Sequence, residues 1–276
     1  MPEPVILVPL DGSKNSEPAL AAARVLASVE RARIRAVYVL DRGQDHSTLE
    51  ASQASFARYA AGLKDNYHLP ADVSFEVVEG SPAKTILSLS EQAAWIVLAS
   101  HGRGGFKATV MGSVADKVVR GARVPVWLVP GIESGTTEVK PARILVCLDG
   151  SDEAERGLTL ARRIGAETGA SLTLFQSVST VLPVAGELAY YPPELPETLL
   201  QGATEYLTRV ARPGEQTIAK QGFASSEIVA AAEELDVDLV VMTASGKGLA
   251  ARLALGSTTD RVMHSLQRPM LIVPPA

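Results

Sequence analysis

The sequence has few of the features that mark secreted, membrane-spanning or nucleic-acid-binding proteins. A single cysteine in 276 residues excludes an intrachain disulfide framework and fits a reducing compartment. No apolar run reaches about 18 residues, the length that a membrane-spanning helix needs, and the first residues do not resemble a signal peptide. The net charge of −5 divides into −1 for residues 1–138 and −4 for residues 139–276, without the basic excess of a nucleic-acid binder. We therefore expect a cytoplasmic protein with no membrane or nucleic-acid partner.

Residues for catalysis or metal binding are equally scarce. The four histidines, His46, His68, His101 and His264, lack metal-ligand spacing, so we predict no metal site. Cys147 lies in an apolar run and is interpreted as core packing rather than as a nucleophile. The sequence contains no Gly-x4-Gly-Lys-Ser/Thr motif and no recognisable pair of nucleophile and base. We predict no catalytic residues, and turnover that is slow or absent.

What the sequence does contain is a repeat. Residues 5–13, an apolar run that ends in Asp-Gly-Ser, return 138 positions later as residues 143–151. A glycine-rich segment with Gly102, Gly112 and Ser113 returns 144 positions later with the same internal spacing. Self-similarity over half the chain indicates one fold made twice.

Each half alternates apolar strand-like runs with helix-like segments, which indicates a mainly parallel sheet with right-handed crossovers. We predict two α/β domains, residues 1–135 and 141–276, each an open, mainly parallel five-stranded sheet flanked by helices. The predicted strands are 5–10, 34–40, 73–78, 95–99 and 125–130, then 144–148, 171–178, 216–220, 239–242 and 270–273. The predicted helices are 19–27, 52–67, 82–91 and 112–120, then 153–168, 198–211, 225–234 and 258–265. Ser13, Ser16 or a nearby polar residue is expected to cap the first helix.

Two connections differ from their surroundings. Residues 133–140 are the expected linker between the domains. Residues 180–196 form a long, proline-rich connection that has no counterpart of similar length in the first half. A stiff surface excursion and a functional loop both remain open interpretations of this segment.

The repeated motifs fall where a parallel sheet binds ligands. Ligands of such sheets bind outside the carboxyl ends of strands, where the strand order reverses. If the first strand is central, Asp11-Gly12-Ser13 faces the glycine-rich segment after strand four across that crevice. Glycines allow a close backbone approach, and a helix that begins at Gly112-Ser113 presents amides that suit a phosphate. The Asp11 carboxylate suits a ribose hydroxyl, an adenine amino group or a phosphate-bound cation.

With these motifs in both halves, the chain resembles a tandem universal stress protein. Nucleotide-binding members of that family carry Gly-x2-Gly-x9-Gly-Ser/Thr after strand four, and the last two anchors match in both halves. The resemblance implies an adenine-nucleotide α-hydrolase-like, Rossmann-like fold that binds ATP, with or without Mg²⁺. In the first half it implies that the ligand is bound by Pro9, Leu10, Asp11, Val39, Leu98, Ala99, Gly102, Arg103, Gly112, Ser113 and Val114. In the second half the matching positions are Cys147, Leu148, Asp149, Ser177, Met242, Thr243, Gly246, Gly256, Ser257 and Thr258.

Both halves depart from the family pattern at its first glycine, which is Ala99 in one and Thr243 in the other. Alanine adds only a methyl group, whereas threonine is β-branched and narrows the approach to a ligand. Arg103 offers phosphate a planar fork, and its counterpart Lys247 offers a point charge. We therefore expect the first site to be the better nucleotide site.

We predict a nucleotide-binding regulatory protein of the stress response. Two alternatives remain open: a nucleotide-free scaffold that acts through its dimer surface, and an ATP-using enzyme of the same fold. The resemblance implies that the strands at 126–129 and 270–273 pair, so that one chain mimics a dimer, and that two chains associate as a homodimer. The protein partner is unknown.

Overall fold

Strands and helices alternate along both halves, as the sequence predicts. The computed structural model describes residues 3–41, 43, 48–102, 111–130, 140–179, 194–244 and 255–275. Tertiary contacts divide the chain into two units, residues 1–141 with 267–276 and residues 142–266. Most of the predicted linker and of the proline-rich connection lies outside the described residues. The prediction of an α/β fold with a mainly parallel sheet and flanking helices is confirmed.

The first unit contains six strands and four helices among its described residues. The strands are β1 (Val5–Leu10), β2 (Arg33–Leu40), β3 (Ser74–Glu79), β4 (Trp95–Ala99), β5 (Val126–Val129) and β10 (Met270–Val273). The helices are α1 (Pro18–Glu30), α2 (Leu49–Asn66), α3 (Pro82–Ser90) and α4 (Ser113–Gly121). The strand order is β3-β2-β1-β4-β5-β10. β1 to β5 run parallel, and their central members are apolar along their whole length because helices cover both faces.

The last strand of the chain belongs to the first unit. β10 pairs antiparallel with β5, with Leu271 opposite Trp127. The predicted pairing of these two strands is thus confirmed, and β5 is not an open edge. All four residues of each strand are buried. The first unit is therefore a six-stranded sheet rather than the five strands expected from the repeat alone.

The second unit repeats the parallel core. Its strands are β6 (Arg143–Cys147), β7 (Ser171–Val178), β8 (Gln216–Gln221) and β9 (Leu239–Thr243), in the order β9-β6-β7-β8. Its helices are α5 (Asp152–Thr168), α6 (Leu195–Val210), α7 (Ala224–Glu234) and α8 (Ser257–Ser265). All three strand pairs within the unit are parallel.

The first helix does not begin where its counterpart begins. α5 starts directly after Ser151, whose side chain accepts a hydrogen bond from the Ala154 amide at 3.2 Å. α1 starts only at Pro18, and Glu17 at its N-cap makes no side-chain capping bond. Of the candidates that the sequence offers, neither Ser13 nor Ser16 is the N-cap of α1; that position belongs to a nearby polar residue, Glu17, without a side-chain capping bond. Pro18 has no N–H to donate to the carbonyl four residues earlier, so the helix cannot extend back over residues 14–17.

Candidate functional site

A cleft of about 800 Å³ opens at the carboxyl ends of β1 and β4. The chain passes from β1 to β2 and β3 on one side and then returns to β4 on the other, so the strand order reverses here. This is the place where open parallel sheets bind ligands, and the volume lies within the range of small-molecule pockets. The cleft is called the β1–β4 cleft below. It brings together every described first-half residue that the sequence nominates: Pro9, Leu10, Asp11, Val39, Leu98, Ala99, Gly102, Gly112, Ser113 and Val114.

Asp11 is held in a fixed orientation by the turn that follows β1. Its Oδ1 accepts hydrogen bonds from the Ser13 amide at 2.9 Å and from the Ser13 hydroxyl at 2.6 Å. Ser16 closes the turn by donating to the Ser13 carbonyl at 2.8 Å. Two donors on one carboxylate oxygen restrict its rotation. The turn thus presents a preoriented acceptor at the mouth of the cleft.

Gly102 lies so close to Asp11 that any side chain at this position would displace the Asp11 carboxylate. A Cβ built on Gly102 would overlap Asp11 Oδ2 and would lie 3.4 Å from its Cγ. Asn15 approaches from the same side, with its amide nitrogen 3.5 Å from the Gly102 carbonyl oxygen. Gly102 is therefore packed directly against the carboxylate. This close approach explains physically why the sequence has glycine at this position.

Gly112 joins the β4 loop to the start of α4. Its amide donates to the Ser100 carbonyl at 2.7 Å, and a Cβ on Gly112 would lie 3.2 Å from that oxygen. Gly112 is the N-cap of α4 and has no side chain to satisfy the first-turn amides. The amides of Ser113 and Val114 at the cleft can therefore meet an anion, aided by the positive end of the helix dipole.

Sequence reasoning did not nominate twelve other residues that line the β1–β4 cleft, among them Tyr38, Asp41, Ser81, His101 and Lys117. Tyr38 and Asp41 lie at the end of β2, the neighbour of β1, and Ser81 precedes α3. Lys117 is one turn beyond Ser113, so helix periodicity places it on the same face. This spacing could have predicted Lys117 as a cleft residue from the sequence alone. The positions of the other side chains depend on strand order.

A buried glutamate, Glu17, lies at the N-cap of α1, shortly after the turn that holds Asp11. Glu17 is 3% exposed and accepts hydrogen bonds from the Tyr59 hydroxyl at 3.1 Å and the Tyr67 hydroxyl at 3.3 Å. Burial, and then the charge of Glu17, raises the pKa of Tyr67 to about 12. The same causes raise the pKa of Tyr59 above its ordinary value. Lys14 pairs with Glu17 at 3.2 Å, so the buried carboxylate has both donors and a counter-charge.

The second half reproduces the motif geometry. Asp149 Oδ1 accepts from the Ser151 amide at 3.0 Å and from its hydroxyl at 2.5 Å. The Gly256 amide donates to the Ala244 carbonyl at 2.6 Å, as Gly112 does to Ser100. The described second-half candidates lie at the ends of β6, β7 and β9 and at the start of α8: Leu148, Asp149, Ser177, Met242, Thr243, Gly256, Ser257 and Thr258. Arg103 and Gly246 lie outside the described residues.

In the second half, two hydroxyl groups near the candidate site donate hydrogen bonds to main-chain carbonyls. The Ser177 hydroxyl donates to the Gly222 carbonyl at 2.9 Å. The hydroxyl of Thr259, which is 4% exposed, donates to the Thr243 carbonyl at 2.8 Å. The first-half counterpart of Thr259 is Ala115, which has no donor to offer. The carboxyl end of β9 is thus tied to α8 by a side chain that the first unit lacks.

Cys147 is of intermediate exposure and follows three buried strand residues. It ends β6, and burial raises the pKa of its thiol well above the ordinary value. A thiol that stays protonated is a poor nucleophile. This agrees with its interpretation as packing.

The chain matches one protein-family model twice. The model of the universal stress protein family covers residues 4–130 and 141–274. This chain belongs to the universal stress protein family. The two matched ranges account for nearly the whole sequence, and the resemblance drawn from the repeated motifs is confirmed.

Individual relatives agree with the family assignment. A universal stress protein of Mycolicibacterium smegmatis is 24% identical over 291 residues, covering 98% of this chain and 97% of the relative. One from Mycobacterium tuberculosis is 24% identical over 218 residues, covering 72% of this chain and 68% of the relative. The crystal structure of a universal stress protein from Archaeoglobus fulgidus superposes with a TM-score of 0.71 over the full length of both chains, at 20% identity. At that identity the structure shows a shared fold.

Within the described part of this universal stress protein, no helix combines the length and apolar character that crossing a membrane requires.

Proposed function

We propose that this universal stress protein binds ATP in the β1–β4 cleft and uses it as a regulatory ligand. The observation that carries the proposal is convergence: ten residues nominated from separate parts of the sequence line one cleft where the strand order reverses. The family assignment supports an adenine nucleotide, since the motifs nominated those residues as an ATP site. A cytoplasmic location is part of the proposal, supported by the single cysteine.

The chemistry of the cleft suits each part of the nucleotide. The preoriented Asp11 carboxylate can accept from a ribose hydroxyl or the adenine amino group, and the main chain of Val39 can meet the base. The first-turn amides of α4 and the Lys117 ammonium can meet the phosphates. The space kept free of Cβ atoms at Gly102 and Gly112 fits a ligand that approaches the backbone closely. Mg²⁺ would enter with the phosphates, whose oxygens it prefers.

A nucleotide-free role is the second candidate, and one observation favours it. Ala99, which lines the cleft, stands where the family's nucleotide-binding pattern has its first glycine. An added methyl group at that wall narrows the approach to the ligand. On this alternative the protein would act through association, and we propose a homodimer in either case. Light scattering of the purified chain, with and without ATP, measures that association.

The test is binding by the purified full-length chain and by two matched variants. We expect ATP with Mg²⁺ to raise the melting temperature, since a ligand that binds only the folded state stabilises it. Asp11→Ala should weaken ATP binding by about 100-fold or more, as expected when a charged partner in a desolvated site is lost. Asp149→Ala makes the same change at the matching turn of the second half. It should leave the affinity of the β1–β4 cleft for ATP unchanged. A melting temperature that ignores millimolar ATP would overturn the proposal in favour of the nucleotide-free role.

A further inference from the structure

Helix α2 holds the buried Glu17 carboxylate beside the turn that carries Asp11. The hydroxyl of Tyr59, in α2, donates to Glu17 Oε1 at 3.1 Å. The hydroxyl of Tyr67, the C-cap of α2, donates to the other carboxylate oxygen at 3.3 Å. A buried carboxylate is costly without donors, so these bonds fix Glu17 against α2.

Glu17 is joined through the main chain to the wall of the β1–β4 cleft. Its neighbour Ser16 lines the cleft, and the Ser16 hydroxyl donates to the Ser13 carbonyl at 2.8 Å. The Ser16 amide donates to the same carbonyl at 3.1 Å. Ser13 in turn supplies two hydrogen bonds to Asp11 Oδ1. A shift of Glu17 therefore moves Ser16 and Ser13, and with them the donors that orient Asp11.

The second half has the same pair of side chains on a different backbone. Glu155, the counterpart of Glu17, accepts from Tyr206 at 3.2 Å and lies inside α5, where the helix fixes its main chain. Glu17 precedes α1, and residues 14–17 form a turn. Outside a helix, a residue depends more on its side-chain contacts for its position. The tyrosine contact therefore matters more for the turn of the first half.

Helix α2 supports a second part of the cleft wall through aromatic packing. Phe56 packs on Tyr38 with ring centroids 5.6 Å apart, and on Tyr59 with ring centroids 6.0 Å apart. Tyr38 lies on β2 and lines the β1–β4 cleft. One helix thus contacts the cleft at β2 through Phe56 and at the Asp11 turn through Tyr59.

We propose that Tyr59 is a positioning residue that acts through Glu17 to hold the turn of residues 11–17 in the form that binds ATP. This inference rests on the ATP binding proposed above and names how that site is regulated. Neither Tyr59 nor Glu17 lines the cleft. Displacement of α2 weakens ATP binding, and bound ATP stabilises the contacts of α2, because coupling between two sites is reciprocal.

A conservative substitution in the full-length chain tests the role of Tyr59. Tyr59→Phe removes the donor to Glu17 and keeps a ring to pack on Phe56. We expect calorimetric titration to show ATP bound about fivefold more weakly, at a temperature where both proteins are folded. Tyr206→Phe makes the same change at the matching pair of the second half and should leave the affinity of the β1–β4 cleft unchanged.

A substitution at Glu17 tests whether Tyr59 acts through that residue. Glu17→Gln keeps an acceptor oxygen and removes the buried charge, so the loss of the Tyr59 donor costs less in its presence. We expect Tyr59→Phe to weaken ATP binding about fivefold in the wild-type background and by less than about twofold in the Glu17→Gln background. A merely structural role of Tyr59 in α2 would give the same loss in both backgrounds.

Hydrogen exchange tests the turn itself without any nucleotide. The Ser16 amide donates within the turn, so its exchange rate reports the order of the turn. We expect this amide to exchange faster in Tyr59→Phe than in wild type, while the Ala154 amide, which donates to Ser151 at the start of α5, is unchanged. Addition of ATP should slow exchange in α2 of the wild-type protein more than in Tyr59→Phe.

Four results would overturn the inference. It falls if Tyr59→Phe binds ATP as tightly as wild type, or if Tyr206→Phe weakens binding by the same factor. It also falls if the loss is equal in the two Glu17 backgrounds, or if exchange of the Ser16 amide is unchanged. Failure of the proposed function is distinct from all four, since the wild-type protein itself would then show no binding of ATP.

Discussion

The two halves begin alike and diverge within a few residues of the shared motif. In both, the aspartate of Asp-Gly-Ser accepts two hydrogen bonds from the serine two positions later. Ser151 also caps α5, whereas Pro18 delays the start of α1 and leaves residues 14–17 as a wider turn. Ser16 of that turn lines the β1–β4 cleft. The later start of α1 thus leaves Ser16 in a turn that lines the cleft, whereas its second-half counterpart, Ala154, lies in α5.

A second difference between the halves lies where α8 contacts the end of β9 and where α4 contacts the end of β4. Thr259 ties α8 to the end of β9 through the Thr243 carbonyl, while Ala115 offers α4 no such bond to β4. The repeat therefore preserves the motif geometry and varies the contacts around it. This teaches that matching glycine spacing does not by itself make two equivalent sites.

The largest effect on this comparison is expected from Gly102→Ala. The new methyl group would overlap the Asp11 carboxylate, which two bonds to Ser13 hold in place, so the carboxylate must leave its position. We expect ATP affinity to fall at least as far as in Asp11→Ala, about 100-fold, with a small change in melting temperature. Gly62→Ala is the matched control, because nothing lies within 4 Å of a Cβ there. Equal ATP affinities for the two variants would show that the Asp11–Gly102 contact is not part of a binding site.

A smaller effect is expected from Thr259→Ala. Loss of the buried hydroxyl leaves the Thr243 carbonyl without that donor and should lower the free energy of unfolding by about 1 kcal/mol. Thr204→Ala removes an exposed hydroxyl on α6 and should change stability by less than about 0.5 kcal/mol. Urea unfolding measures both. Hydrogen exchange should place the loss at the start of α8, and unchanged protection there would argue against this contact as a difference between the halves.

The smallest effect concerns the glutamate that accepts a tyrosine hydroxyl in each half, which is buried in the first half and partly exposed in the second. Glu17 holds Tyr67 in the first half, and Glu155 accepts from Tyr206 at 3.2 Å in the second. The pKa of Tyr67 rises from 10.0 to about 12, so between these pH values the unfolded chain releases a proton that the folded chain keeps. Stability is therefore fully present below pH 10 and falls as pH rises toward 12.

Tyr67→Phe should reduce that fall, and denaturant midpoints measured across the same pH interval would show it. Tyr206→Phe is the matched change in the second half, where burial and the charge of Glu155 raise the pKa of Tyr206. A slope of stability against pH that is the same in wild type and in Tyr67→Phe would contradict the assignment. A difference between the two variants would show which carboxylate, Glu17 or Glu155, has the larger effect on its tyrosine.

Much of the fold could be predicted because the strands are apolar runs with sharp ends. The bounds of β1, β4, β7 and β10 agree with the sequence-based prediction to the residue. Helix ends were less predictable. α1 extends to Glu30 and ends at Arg31 in the left-handed region, φ 50°, without the glycine that usually signals such an end. α6 begins at Leu195, earlier than predicted, with proline in its first turn.

The candidate site was predictable where residues repeat and not where they only meet in space. Asp11, Gly102 and Gly112 could be predicted as site residues from their spacing and from the recurrence of each motif 138 or 144 residues later. Tyr38 reaches the same cleft from β2 and belongs to no motif. His101 was visible as part of a loop, but its unsatisfied nitrogen appears only when Ser100 is seen to occupy the other one.

The sequence by itself determined that this chain is a duplicated α/β protein with Asp-Gly-Ser turns and glycine anchors, because strand periodicity, turn chemistry and spacing are local properties. Tertiary structure decided the rest. It placed β4 beside β1, so that the two motifs meet across one cleft, and it brought β10 against β5 in the first unit. It also set Gly102 against Asp11 and buried Nε2 of His101. Such contacts depend on which strands are neighbours, and no local pattern records the strand order.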